Sequence, residues 1–297
     1  MKKVIITGAG GFVGSALTKK MIDNGIEVIA ISLKFIDSFP ESPLVTRIES
    51  GINSTEDLLN LIPDDNYEAF YHLAWMGVNG SEKADPCIQA KNIMLTMICA
   101  AAAHQIGCKR FLCSGTVAER AVESLPDLKK TNGSMLYGAA KCGARLLLES
   151  YCKNVGLEYV WMQFSNIYGS ENKTGNLVSY TLNELNAGRE ALFGPASQPY
   201  DFIYIDDLLE AVFRLGFCEI KYNFYFIGSG SPRILRDYLT EIGEIYGKPQ
   251  LIRIGARDDD GIVYSMDMFD TSRLEKSIGN YHSGSFTEKI KVTIDKF

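Results

Sequence analysis

The segment Tyr137-Gly138-Ala139-Ala140-Lys141 sets a phenol and an ammonium four residues apart, which is one face of a helix. That spacing builds a general acid. An ammonium held beside a phenol favours the phenolate and draws the tyrosine pKa down from its usual value of about 10. Such a tyrosine passes a proton to a carbonyl oxygen as hydride reaches the carbon. Tyr and Lys at this offset also occur on ordinary amphipathic helices, so the pair takes its meaning from its surroundings.

Near the N-terminus, Lys2-Lys3-Val4-Ile5-Ile6-Thr7 reads as a short buried strand running into Gly8-Ala9-Gly10-Gly11-Phe12-Val13-Gly14, and a helical stretch from Ser15 to Asn24 follows. Strand, glycine turn and helix in that order offer a pyrophosphate the backbone N–H groups of a helix N-terminus. The spacing is Gly8-x-x-Gly11-x-x-Gly14. The strict G-x-G-x-x-G form would end at position 13, where Val13 stands, so the turn is a variant.

Thr7-Gly8-x-x-Gly11-x-x-Gly14 together with Tyr137-x-x-x-Lys141 resembles the short-chain dehydrogenase/reductase superfamily, and further matches narrow it to the extended branch that modifies nucleotide sugars. Tyr71-His72-Leu73-Ala74 looks like the family's fourth strand, whose end passes the cofactor, and Asn92 falls in the helix after it. Phe111-Leu112-Cys113-Ser114-Gly115-Thr116-Val117 looks like the fifth strand with its active-site Ser or Thr. Phe164-Ser165-Asn166-Ile167-Tyr168-Gly169 resembles the R-x-x-N-x-Y-G segment, and Asp201-Phe202-Ile203-Tyr204-Ile205-Asp206-Asp207 resembles R-D-F-x-x-V-x-D.

The resemblance implies roles for these residues. Tyr137 exchanges the proton with the substrate oxygen, Lys141 lowers its pKa and holds the nicotinamide ribose, and Ser114 hydrogen-bonds the same oxygen. Thr116 is the alternative to Ser114 and otherwise a substrate contact, with Asn166 and Arg257. The cofactor contacts are Thr7, Gly8, Gly11, Phe12, Val13 and Gly14 in the turn, Ser32 and Lys34 after the second strand, Leu73, Ala74 and Asn92, and Tyr137 and Lys141.

Departures from the family pattern carry information too. The second strand, Glu27-Val28-Ile29-Ala30-Ile31-Ser32, ends where an NAD enzyme carries the acidic residue that binds the adenosine ribose hydroxyls; here Ser32 and Lys34 stand there. A carboxylate repels a 2′-phosphate, whereas a hydroxyl and an ammonium accept it, so NADP is the preferred cofactor and NAD the alternative. Gly51 replaces an adenine-contacting Asp, Gln163 the Arg of R-x-x-N-x-Y-G, and Tyr200 the Arg of R-D-F, with Arg189, Arg233 and Arg257 as possible compensation. Dehydratases of the family carry an acidic pair after the catalytic Ser or Thr, and Gly115-Thr116 follows Ser114 here. Three readings stay open: a reductase of a 4-keto-6-deoxy nucleotide sugar consuming NADPH, a 4-epimerase holding NAD, and a catalytically silent NAD(P)-binding regulatory protein.

A chain of 297 residues, 46% hydrophobic, is long enough for one large α/β core with a smaller lobe. Its net charge of −6 speaks against nucleic acid or a membrane surface as partner. Seven cysteines without a C-x-x-C suit a reducing cytoplasm, with Cys113 a buried structural thiol. His72 reads as a satisfied residue at a strand end, no metal-ligand cluster is visible, and no apolar run approaches spanning length.

Apolar runs near 3–7, 27–32, 44–49, 69–74, 110–114, 158–164 and 223–227 alternate with helical stretches, which predicts a Rossmann-type doubly wound parallel sheet. Residues 1–165 form the dinucleotide-binding core, with 199–228 returning to it; 166–198 and 229–297 form a smaller, discontinuous substrate lobe. Ser114 should end a strand and Tyr137 open the next helix, so that both meet the glycine turn at one rim. Helices from Asp85 to Ala103 and from Tyr137 to Asn154 carry small or apolar residues on more than one face. The resemblance implies a homodimer joined through them.

Overall fold

The computed structural model describes residues 2–127, 131–172, 175–259, 261 and 263–297. The elements in chain order are β1 (Lys3–Thr7), α1 (Phe12–Asp23), β2 (Glu27–Ser32), β3 (Val45–Glu49), α2 (Thr55–Leu61), β4 (Ala69–His72), α3 (Pro86–Gln105), β5 (Arg110–Thr116), α4 (Gly133–Val155), β6 (Glu158–Phe164), β7 (Asn166–Tyr168), α5 (Leu177–Asn186), β8 (Ala191–Leu192), β9 (Pro199–Tyr200), β10 (Phe202–Tyr204), α6 (Ile205–Phe217), β11 (Phe224–Ile227), β12 (Arg233–Ile234), α7 (Leu235–Tyr246), β13 (Ile252–Arg253), α8 (Ser272–Ile278) and α9 (Phe286–Asp295). Each of the seven apolar runs supplies one strand of a single parallel sheet, ordered β11-β6-β5-β4-β1-β2-β3. Runs buried on both faces have no polar side to turn outward, which is why the inner strands read as continuous, whereas the edge strand β3, Val45-Thr46-Arg47-Ile48-Glu49, has no buried residue. The order reverses between β1 and β4, and ligands of doubly wound sheets bind outside such a switch point.

Several boundaries differ from the expectation, each for a local reason. Helix α1 begins at Phe12 instead of Ser15, so Phe12, Val13 and Gly14 of the glycine segment form its first turn. Strand β5 continues past Ser114 to Thr116, pairing with β6 up to Phe164. Helix α4 begins at Gly133, where the Asn132 side chain accepts the N–H groups of Ser134 and Met135. Tyr137 and Lys141 therefore sit in the second and third turns and do not open the helix. Helix α3, capped by Asp85, is long and apolar enough by length and composition to cross a membrane, against the expectation that no segment is. Here its buried residues Asn92, Thr96 and Cys99 pack on the sheet.

The remaining strands are two or three residues long and pair outside the main sheet: β10 with β7, β12 with β9, and β13 with β8. Helix α6 packs on α1, while β9 and β10, which precede it, pair with β12 and β7 outside the main sheet. An aromatic cluster of Tyr168, Phe202, Tyr238 and Phe286 ties β7 and β10 to α7 and α9, with Tyr238 and Phe286 ring centroids 4.7 Å apart. One apolar cluster runs from Val4 and Ile6 through these rings to Leu182 and Leu239, so the lobe shares the core of the sheet.

Candidate active site

The turn after β1 is built from close backbone approaches. Gly8 has φ +73°, and a Cβ on it would lie 2.6 Å from the Ala74 nitrogen. A Cβ on Gly14 would lie 2.2 Å from the Gly8 oxygen, and one on Gly10 2.0 Å from the Lys34 oxygen and 2.8 Å from Ser32 Oγ. Gly10, not singled out by the sequence spacing, is thus packed more tightly than Gly11, whose Cβ would stand 3.3 Å from the nearest atom. The turn brings together the ends of β1, β2 and β4, with Ala9 N–H donating to Ile31 O and Leu73 N–H to Thr7 O. The opening N–H groups of α1 have no intrahelical partner and face this turn. Any side chain at Gly8, Gly10 or Gly14 would push apart the backbone of the turn and the strand ends it touches, so glycine keeps the turn tight and its backbone bare, which suits a dinucleotide pyrophosphate.

Both ends of the Asn92 amide bond the backbone of Met76. Its Oδ1 accepts Met76 N–H and its Nδ2 donates to Met76 O, both at 2.8 Å, so it fixes the loop after β4. His72 is enclosed between Thr7 Oγ1 at 2.8 Å and Thr96 Oγ1 at 3.2 Å, and burial pushes its pKa down to about 3. It is neutral and structural. Cys113 is buried, its thiol pushed up to about 12 by desolvation. Among the described residues no His, Cys, Asp or Glu cluster is placed to hold a metal ion.

At the rim, Lys141 Nζ donates to Ser114 O at 2.5 Å and lies 3.4 Å from Ser114 Oγ. The Trp75 ring covers the ammonium, with its centroid 3.7 Å away. Burial lowers the Lys141 pKa to about 8, opposed by Cys113 and Glu119, so the side chain is mainly cationic at neutral pH.

Tyr137 departs from expectation. Its phenol is raised, not lowered, because desolvation dominates and the Glu119 charge adds to it, while a hydrogen bond with the Thr116 side chain opposes. Lys141 spends its ammonium on Ser114 and Trp75 instead of the phenol. A second cation, Lys83, lies over the Tyr137 ring at 5.0 Å, its own pKa lowered by burial. Thr116 thus acts on the Tyr137 phenol in the sense that favours its ionised form, while Ser114 is the residue bonded to Lys141.

Glu119 supports this arrangement, and nothing in the sequence motifs marked it. Its carboxylate is 5% exposed as a residue, accepts Thr116 N–H at 2.7 Å and Trp161 Nε1–H at 3.2 Å, and faces Arg145 Nε at 3.6 Å. Burial raises its pKa, and these donors oppose the shift. Two glycines make room. A Cβ on Gly115 would sit 2.3 Å from Trp161 Nε1, and one on Gly138, between Tyr137 and Lys141, 2.4 Å from Ala118 O. The loop after β5 can therefore lie directly against α4.

On the substrate side, most predicted contacts are already engaged. Asn166 Nδ2 donates to Asp201 O at 3.0 Å, and its Oδ1 accepts the Tyr200 hydroxyl at 2.9 Å. Gln163, which stands for an arginine of the family pattern, accepts Arg120 Nε at 2.6 Å, so a guanidinium returns from another element. Tyr200, which stands for the other missing arginine, is in register with Arg233, which pairs with Glu241 at 2.6 Å. Arg257 donates to the Tyr180 hydroxyl at 2.9 Å, whereas Arg189 pairs with Glu184 at the surface. Thr116 is followed by Val117 and Ala118, so the acidic pair of dehydratases is absent at this register as well.

Comparison with known proteins agrees with this geometry. The sequence pattern of the NAD dependent epimerase/dehydratase family matches residues 4–216. The chain is 24% identical over 264 residues to the UDP-glucose 4-epimerase of Mycolicibacterium smegmatis, covering 83% of each. Among solved structures, the UDP-glucose 4-epimerase of Thermotoga maritima with UDP-glucose superposes with a TM-score of 0.80 at 21% identity, over 99% of this chain and 98% of the other. The dTDP-glucose 4,6-dehydratase of Bacillus anthracis in complex with NAD gives a TM-score of 0.82 at 15% identity, over 100% and 96%.

Proposed function

The chain belongs to the NAD dependent epimerase/dehydratase family, and from that premise we propose that it reduces a 4-keto sugar, of the 4-keto-6-deoxy class, linked to a nucleotide. Tyr137 delivers the proton to the substrate oxygen, and Thr116 aligns the phenol and shares that oxygen. Glu119 holds the Thr116 backbone, and Lys141 carries the positive charge under the site. Ser114 holds Lys141 instead of the substrate, which exchanges the two hydroxyl roles expected from sequence. Gly8, Gly10, Gly14 and the start of α1 would hold the dinucleotide, which when bound supplies the hydride.

The observation that carries the reductase reading is the Ser32–Lys34 segment packed on Gly10, with no carboxylate at the end of β2. That end suits a 2′-phosphate and hence NADPH, a co-substrate that is consumed. The likeness to 4-epimerases supports a second reading, in which NAD stays bound and the sugar returns oxidised and reduced in turn. Incubation with NADPH or NADH and a panel of nucleotide-linked keto sugars separates them. A reductase consumes one NADPH per product, with NADPH preferred; interconversion of epimers without net cofactor loss would establish the epimerase instead.

The protein is further proposed to be a homodimer through α3 and α4. Met94, Leu146 and Leu147 are exposed on these helices, and such apolar area suits a self-complementary twofold contact. Leu147→Asp should shift the sedimenting species from dimer to monomer while cofactor binding persists. A parent protein that sediments as a 32.9 kDa monomer at micromolar concentration would contradict the dimer.

A further inference from the structure

A cavity of about 330 Å³ opens behind the catalytic strand, on the α4 face at the β11 edge of the sheet. Its walls come from Arg145 and Glu149 on α4, Tyr159 and Trp161 on β6, the turn from Lys221 into β11, and Arg273 on α8. None of the residues assigned above to proton transfer lines it. Three of the lining side chains are cations, in a chain whose net charge is −6. The one lining carboxylate, Glu149, is already paired with Lys153 at 2.6 Å, which holds it below the usual carboxylate range.

Two buried polar atoms at this cavity make no hydrogen bond. One is the hydroxyl of Tyr159, a residue 4% exposed, which lies near the Asn223 and Glu149 side chains without a well-aligned bond to either; the other is Arg145 Nε, whose ion pair with Glu119 spans 3.6 Å. A buried donor without a partner is unfavourable, and a ligand acceptor would satisfy it. Two of the three cations lie against aromatic faces, Arg273 5.4 Å from the Tyr222 ring centroid and Arg145 5.6 Å from that of Phe224, and Lys221 Nζ donates to Lys276 O at 3.1 Å. Guanidinium edges suit a phosphate or carboxylate, and aromatic walls suit a flat ring. The volume falls at the low end of small-molecule sites, roughly 300–1,000 Å³.

We propose that this cavity is a second ligand site, taking a small molecule in which a phosphate or carboxylate is joined to a planar ring. Arg145 and Trp161 are also the partners of Glu119, so the cavity shares a wall with the support of Thr116.

Tryptophan emission tests this directly, because the chain has two tryptophans and only Trp161 lines the cavity. Full-length protein carrying Trp75→Phe, checked for fold by circular dichroism, is titrated with phenyl phosphate and separately with benzoate at low ionic strength. At least one anion should give a saturable change in emission, the tighter one identifying the head group, while uncharged benzyl alcohol should not saturate. Arg273→Ala and, independently, Lys221→Ala should each weaken binding by about tenfold, as expected for loss of one charge-assisted contact. Failure of both anions to saturate, or saturation unchanged in both variants, overturns the proposal; the second result would place the probe in the substrate site.

Discussion

Gly8, Gly10 and Gly14 mark the proposed cofactor side of the site by the side chains they lack, whereas Asn166, Gln163 and Arg257 mark the proposed substrate side by the groups they already touch. On the cofactor side the recognising groups are backbone N–H donors, whose positions follow from the turn itself. Spacing alone reveals such a site. On the substrate side the recognising groups are side chains, and a guanidinium lost at one position is returned from another, as Arg120 meets Gln163 and Arg233 lies opposite Tyr200. Substitution along the chain therefore says less about the chemistry that remains.

The difference can be broken from either side. The largest effect belongs to Tyr137→Phe, which removes the proton donor but leaves the ring packed against Trp75. Its turnover should fall by about 10²–10⁴-fold while the cofactor still binds, as measured by cofactor consumption and by titration. A wild-type rate would show that another group supplies the proton. A smaller, different effect is expected from Gly14→Ala, where the added methyl group meets the Gly8 oxygen. Overpacking of this kind costs about 1–3 kcal/mol, so the variant should unfold at lower denaturant concentration and bind the dinucleotide weakly even when folded. Unchanged binding would show that the turn relaxes and that the backbone cradle is less exacting than its contacts indicate.

How much was legible follows the same division. The strands of the main sheet were readable because all but the edge strand β3 are largely continuous apolar runs, and β3 mixes apolar with polar residues at Val45, Thr46, Arg47, Ile48 and Glu49. The strands of the lobe were not, because two or three residues are too few to show a period. The start of α4 was readable in principle from Asn132, a capping residue, but the Tyr–Lys pair drew attention further along the helix. Glu119 was hidden, since its partners Trp161 and Arg145 become neighbours only through the fold. The Tyr137 pKa runs against its spacing for a related reason: the i, i+4 offset places Lys141 on the same face but does not fix its partner, and the carbonyl of Ser114 takes it.

The choice between the two hydroxyls of β5 tests the account most directly, since their spacing in sequence left both open and only the fold separates them. Steady-state turnover of Thr116→Val and Ser114→Ala should be compared at saturating cofactor and substrate. Thr116→Val, which removes the side-chain hydroxyl proposed to align Tyr137, should lower kcat by about 10²-fold or more, whereas Ser114→Ala keeps its backbone carbonyl for Lys141 and should lose less than about tenfold. A collapse of kcat in Ser114→Ala with Thr116→Val near the parent rate would contradict it and return the catalytic hydroxyl to Ser114.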